Sequence, residues 1–159
     1  MSQLKIYDPI TSTWRYVSQA VTGDTGIQGY KGDTGVTNPE IIYIKALGET
    51  DTILVADGVL TFTVPSRLNG YVISRVDIAC YTVSSSGVIT VQLHNVTNNT
   101  DILSTKATID INELTSYTAA APSVIDTSYD DLVTGEQIRV DVDIAGTGSK
   151  GLDVIIEAS

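Results

Sequence analysis

The chain has 159 residues, room for one ordinary domain with appendages, and its nine Lys and Arg against nineteen Asp and Glu leave a formal net charge of −10. Such a charge repels phosphate backbones and argues against a nucleic-acid partner. The single cysteine, Cys80, lies in an apolar run, excludes an internal disulfide framework and reads as a buried small hydrophobe. No apolar run reaches transmembrane length, which argues against membrane insertion.

The charge is unevenly placed. Residues 1–22 carry Lys5, Arg15 and Asp8 and are close to neutral, whereas from Asn38 onward sixteen acids face six bases. The opening Met-Ser-Gln-Leu-Lys has no apolar core of a secretory signal, so a soluble protein made in a cytoplasm is expected.

Residues 1–22 read as a small β-hairpin. Leu4 and Ile6 alternate with Lys5 and Tyr7 in a strand pattern. Asp8-Pro9 opens a turn, and Trp14, Tyr16 and Val17 form the return strand. A two-stranded hairpin is marginal alone, yet this one holds the only Trp and two of the eight Tyr. Leu4, Ile6, Tyr7, Trp14 and Tyr16 are therefore candidate anchor residues. They bury either against a partner, where Trp and Tyr dominate binding energy, or among copies of the hairpin at a trimer axis, and the two are compatible.

Residues 23–37 read GDT-GIQ-GYK-GDT-GVT, with Gly23, Gly26, Gly29, Gly32 and Gly35 at a strict spacing of three. A collagen-like triple helix demands this period, because only glycine fits at its crowded axis. The implied object is a homotrimer whose five glycines per chain line the axis of a rod roughly 45 Å long. Lys31 and Asp33 flank Gly32 and are placed to form an interchain ion pair. A flexible linker is the competing reading, but Ser is absent and the period never slips. No proline pre-sets φ within the repeat, so the rod needs trimeric clamps at its ends.

Asn38-Pro39 breaks the repeat, and residues 38–159 are expected to form a β-rich knob. Strand runs are expected at 41–47, 52–55, 59–64, 71–83, 88–96, 102–111, 123–128, 137–144 and 152–157, with Ala56-Asp57-Gly58 as a turn. Ile138, Val140, Val142 and Ile144 alternate with charged residues and are expected to point inward. Short strands between Gly, Asn, Asp and Ser turns spell an all-β antiparallel sandwich, jelly-roll-like in arrangement.

The search for chemistry returns little. His94, the only histidine, sits on the polar face of its strand without a second ligand and is expected to be solvated. Asp130-Asp131 matches no calcium loop, which needs six to eight shaped oxygens, and reads as an acidic turn. Walker, GxSxG and HExxH patterns are absent. The chain is expected to be no enzyme and to need no cofactor or metal. Sugar sites present exposed aromatics, and Tyr117 and Tyr129, in or near loops, are the candidate ligand residues.

The opening Leu4-Lys5-Ile6-Tyr7-Asp8, with Thr13-Trp14-Arg15-Tyr16-Val17 directly before collagen-like triplets, resembles the openings of tailed-phage virion fibre proteins. The layout is similar to phage head fibres and capsid decoration proteins. That resemblance implies a peg of residues 1–22 seated on the major capsid protein or another virion protein, a stalk of residues 23–37, and a trimeric knob of residues 38–159 facing outward from the capsid. It also implies synthesis in the host cytoplasm and a knob available for weak adhesion to host-surface glycans. A tail fibre or receptor-binding adhesin with a carbohydrate-binding knob is the alternative. The short rod favours a compact decoration.

The axial reading separates two substitutions. Gly29→Val places a Cβ at the axis and should lower the melting temperature of the rod, whereas Gln28→Ala should leave it nearly unchanged. Circular dichroism melts of the two variants check this, and equal melts would identify a flexible linker.

Overall fold

A computed structural model describes residues 5–16 and 39–159. The chain divides into two units, Met1–Val36 and Thr37–Ser159. The five repeat glycines, Lys31, Asp33, Leu4 and Val17 lie outside the described residues.

In the first unit β1 (Lys5–Asp8) pairs antiparallel with β2 (Thr13–Tyr16). The second unit is all-β. Its longer strands are β3 (Glu40–Thr52), β4 (Ala56–Thr63), β5 (Ile73–Ala79), β6 (Ile89–Asn95), β11 (Gln137–Ile144) and β12 (Lys150–Ala158). Between β6 and β11 come the short strands β7 (Thr100–Asp101), β8 (Leu103–Thr105), β9 (Ala107–Ile109) and β10 (Val124–Ile125). Among the described residues the helical elements are two 3₁₀ turns, Ser66–Leu68 and Ser116–Thr118.

Two antiparallel sheets carry the unit. One has the order β3-β12-β5; the other runs β4-β11-β6, with β7 and β9 both pairing with β6. The pleat of each strand turns one set of apolar side chains inward. Leu152, Val154 and Ile156 of β12 and Val76 and Ile78 of β5 share one core with Ile89, Val91 and Leu93 of β6 and Ile138, Val140 and Val142 of β11. Each such side chain contributes about 1.5–3 kcal/mol by leaving water. The arrangement is consistent with a β-sandwich.

The structure corrects several expected boundaries. Ala56-Asp57-Gly58 is no turn but the start of β4, and β3 runs unbroken through Gly48 to Thr52. Residues 53–55 separate β3 from β4 instead. Gly58 has φ +74°, its N–H donates to Asp141 Oδ1 at 2.7 Å, and the β4–β11 register shifts between Val140 and Val142. An Asp-Gly pair serves a bulge as readily as a hairpin turn. Ile144 is 47% exposed rather than inward, because the register against β6 shifts between Val142 and Ile144. The run 102–111 breaks because its partner changes: β7 and β9 pair with β6, while β8 pairs with β10. Strand 71–83 shortens to β5, after which Cys80 N–H donates to Leu114 O. Cys80 is buried as expected, and that burial pushes its thiol pKa up.

Gly151 reports how tightly β12 is held, with Gly70, in the loop before β5, as an open comparison. Gly151 has φ +66°, and a Cβ there would stand 2.6 Å from Tyr81 Cδ2 and 3.1 Å from Glu49 Cα. Gly70 has φ +81° with nothing within 4 Å. Gly70→Ala should cost about 1–2 kcal/mol of backbone strain, and Gly151→Ala clearly more. Urea midpoints of the two variants measure the difference.

Candidate functional site

The β1–β2 ribbon is shaped by Asp8, whose Oδ1 accepts from the Ile10 and Thr11 N–H groups at 2.9 and 3.3 Å. This Asx turn is the local reason the chain reverses after Asp8-Pro9. The register sets Tyr7 directly opposite Trp14, with ring centroids 5.2 Å apart and planes tilted by 58°. Trp14 is nonetheless 64% exposed and Ile10 projects fully into solvent. Of the other candidate anchor residues, Ile6 lies opposite Arg15 and Tyr16 opposite Lys5 in backbone register.

The second unit carries a cleft of about 180 Å³ at one end of its β6–β11 pair. Its wall includes Asn98, Thr100, Ser128, Tyr129, Asp131 and Glu136. Glu136 is buried and fixed: Asn95 Nδ2 donates to its Oε2 at 2.9 Å and Asn98 Nδ2 to its Oε1 at 2.6 Å. Asn95 closes β6 and lies opposite Ile138 of β11, so sheet register brings Asn95 beside Glu136. Asn95 Oδ1 in turn accepts from the Asn98 N–H at 3.1 Å, shaping the turn after β6. Tyr129 enters from the other side, its N–H bonded to Asp126 O. The wall offers hydroxyls, a carboxylate and one exposed aromatic ring. Drug-sized ligands occupy about 300–1,000 Å³, so this volume suits a single small polar ring.

Tyr129 was legible in the sequence as a loop aromatic, but Asn95, Asn98 and Glu136 were not, since they meet only across paired strands. The Asn95 of the Asn95-Val96-Thr97 sequon is buried and hydrogen-bonded. Tyr117 does not line the cleft; it is exposed in the Ser116–Thr118 turn with the Arg75 guanidinium 5.3 Å from its ring centre. Nor is His94 a freely solvated residue: it is half-buried, and its Nδ1 lies 2.7 Å from Asp101 Oδ1 on the paired strand β7.

A second feature is the outward face of β3-β12-β5. Ile41, Tyr43 and Lys45 of β3 stand opposite Glu157, Ile155 and Asp153 of β12. The Tyr43 hydroxyl donates to Asp153 Oδ2, which holds the phenol protonated well above its ordinary range, with Tyr81 adding to the effect.

No family model, curated protein or solved structure matches the chain.

The cleft's rigidity rests on Glu136. Glu136→Ala strands the buried Asn95 Nδ2 and should cost about 1–3 kcal/mol, whereas Asn98→Ala, at a more exposed position, should cost less. Chemical denaturation of both variants checks the order.

Proposed function

We propose that the chain is the subunit of a homotrimeric virion protein, a head fibre or capsid decoration protein of a tailed phage. Residues 1–22 anchor it to the major capsid protein or another virion protein, residues 23–37 form a collagen-like stalk, and residues 38–159 are the outward knob. The observation that carries this reading is the unbroken glycine period, set between an aromatic two-stranded ribbon and an all-β unit. Gly-X-Y chains make no internal hydrogen bonds and are ordered only as triples.

Strand order supports a jelly-roll knob. The first long strand of the unit pairs with the last, β3 with β12, and β12 pairs with β5. In the other sheet β4 pairs with the penultimate strand β11, β11 with β6, and β6 with β9. This nesting of successive strands between two sheets is what two Greek keys generate. The acidic excess of residues 38–159 suits a solvated outer surface that repels anionic polymers.

The tail-fibre or adhesin reading has its own support in the Tyr129 cleft. Its hydroxyls, Asp131 and the exposed ring of Tyr129 suit a single pyranose of a host-surface glycan, which needs polar partners and an aromatic face.

Trp14→Ala removes an indole that is 64% exposed and should cost about 2–4 kcal/mol of anchoring per chain, multiplied through trivalency. Purified variant trimers should fail to decorate fibre-less particles; full decoration would place the anchor elsewhere. In the same assay Tyr129→Ala should decorate normally. If the cleft takes a glycan, that variant also loses adsorption to host cells.

A further inference from the structure

We infer that the outward face of the β3-β12-β5 sheet is the contact through which knobs pack on second and third copies of this chain. The inference rests on the trimer reading and adds the surface that makes the trimer. Three observations converge on it.

The first is an apolar edge. Among the described residues β3 pairs with β12 on one side only, which makes it an edge strand thirteen residues long. Its outward residues Ile41 and Tyr43 are 66% and 59% exposed, and Ile155 lies between Tyr43 and the next strand. A long edge with exposed apolar side chains is a pairing liability unless something covers it.

The second is an orphaned acceptor. Asp153, on the same face, is only 4% exposed, and its Oδ1 has no hydrogen-bond partner among the described residues. A buried carboxylate oxygen left unpaired is costly. Lys45 of β3 and Arg75 of β5, two of the six cations after Asn38, lie on the strands flanking Asp153 and Glu157. Both are already engaged by acids of their own chain, Lys45 by Glu49 and Arg75 by Asp77, so the unpaired oxygen of Asp153 is left for a neighbouring copy to satisfy.

The third is chain length. Only residues 36–39 separate Gly35 from Glu40, the first residue of β3. Five residue steps span at most about 18 Å. Three chains wound together at Gly35 must therefore start their β3 strands near a common axis. A second copy of this chain is the occupant that the stalk delivers to this edge. A closed threefold contact is heterologous, so each copy presents the edge of β3 to a different patch of its neighbour.

The test uses the full-length chain. Light scattering should give three times the chain mass for the wild type and a single chain mass for the double variant Ile41→Arg/Tyr43→Arg, with far-UV circular dichroism unchanged. Ile144→Arg, on an exposed apolar residue of the other sheet, should remain a trimer. Hydroxyl-radical footprinting of the wild type reads the same surface without mutation: Ile41 and Tyr43 should be labelled several-fold less than Ile144 and Tyr129. A monomeric wild type would overturn the trimer reading and this inference together. A trimeric wild type with Ile41 and Tyr43 labelled like Ile144, or a trimeric double variant, would overturn the face and leave the trimer standing. If the double variant loses its fold, the footprint decides alone.

Discussion

The second unit depends on the hydrogen bonding of β12, the last strand, between β3 and β5. Ala158 lies opposite Glu40 on one side and Ile73 on the other, so both ends of the unit are tied into one ladder. The sheet cannot close until the whole unit has been gathered, because its partners are separated by most of the sequence. Such non-local pairing is intrinsically slow to form. The same logic governs β11, held between β4 and β6 in the facing sheet. The Tyr129 cleft is a by-product of this register. Asn95 ends β6 and Glu136 immediately precedes β11, so pairing those strands sets the two side chains together.

In a chain this acidic, the acids divide into those the fold uses and those it leaves in water. Asp141 is buried yet satisfied: the Arg139 guanidinium lies 2.7 and 2.8 Å from its oxygens, and the Gly58 N–H donates to it. Asp77 is buried beside Arg75 and accepts from the Ser116 hydroxyl at 3.0 Å. In each case the carboxylate organises a non-strand feature, the β4 bulge or the Ser116–Thr118 turn, against a sheet. Truncating the partner of such a group leaves a buried charge, which costs more than the pair contributes. Asp153 breaks this pattern, since only one of its oxygens is engaged, by Tyr43. Glu136 is likewise buried and held by Asn95 and Asn98, whereas exposed carboxylates such as Asp57 and Asp131 set the colloidal behaviour of the unit rather than its fold.

Periodicity was legible where a strand keeps one register. At 138–142 the alternation of Val and Ile with charged residues announced the core face, and Ile138, Val140 and Val142 are fully buried. It failed wherever register shifts, because a bulge moves side chains to the opposite face without altering the sequence pattern. Ile144 and the Ala56-Asp57-Gly58 segment are the two instances, and both adjoin shifts on β11. The 102–111 run failed for another reason. One apolar segment serves two partners in turn, β10 and β6, and partner choice is a tertiary property. Tyr117 and Tyr129 were legible as exposed loop aromatics, whereas Tyr43 and Tyr81, whose positions fit a sheet or core, are exposed as well. Buried polar residues, Gln92 among them, were not legible: its amide donates to Leu103 O and accepts from Leu103 N–H, standing in for strand pairing.

On the proposed reading, the stalk is the weakest part and is stabilised from outside itself. Its triplets carry no proline, so each chain enters the triple helix from a broad ensemble and loses backbone entropy at every residue. Helix formation by three free chains would scale with the cube of their concentration. Holding the three chains together at one end makes the later steps intramolecular, at an effective concentration in the millimolar range for short connections. The four residues between Gly35 and Glu40 are such a connection. A trimeric knob would therefore set both register and association for the glycine repeat, and the repeat would contribute spacing rather than cohesion. The same coupling reaches the ribbon at residues 5–16. A single aromatic pair of this size binds weakly, and three of them on one rigid support bind as a unit only while the knob keeps the chains together.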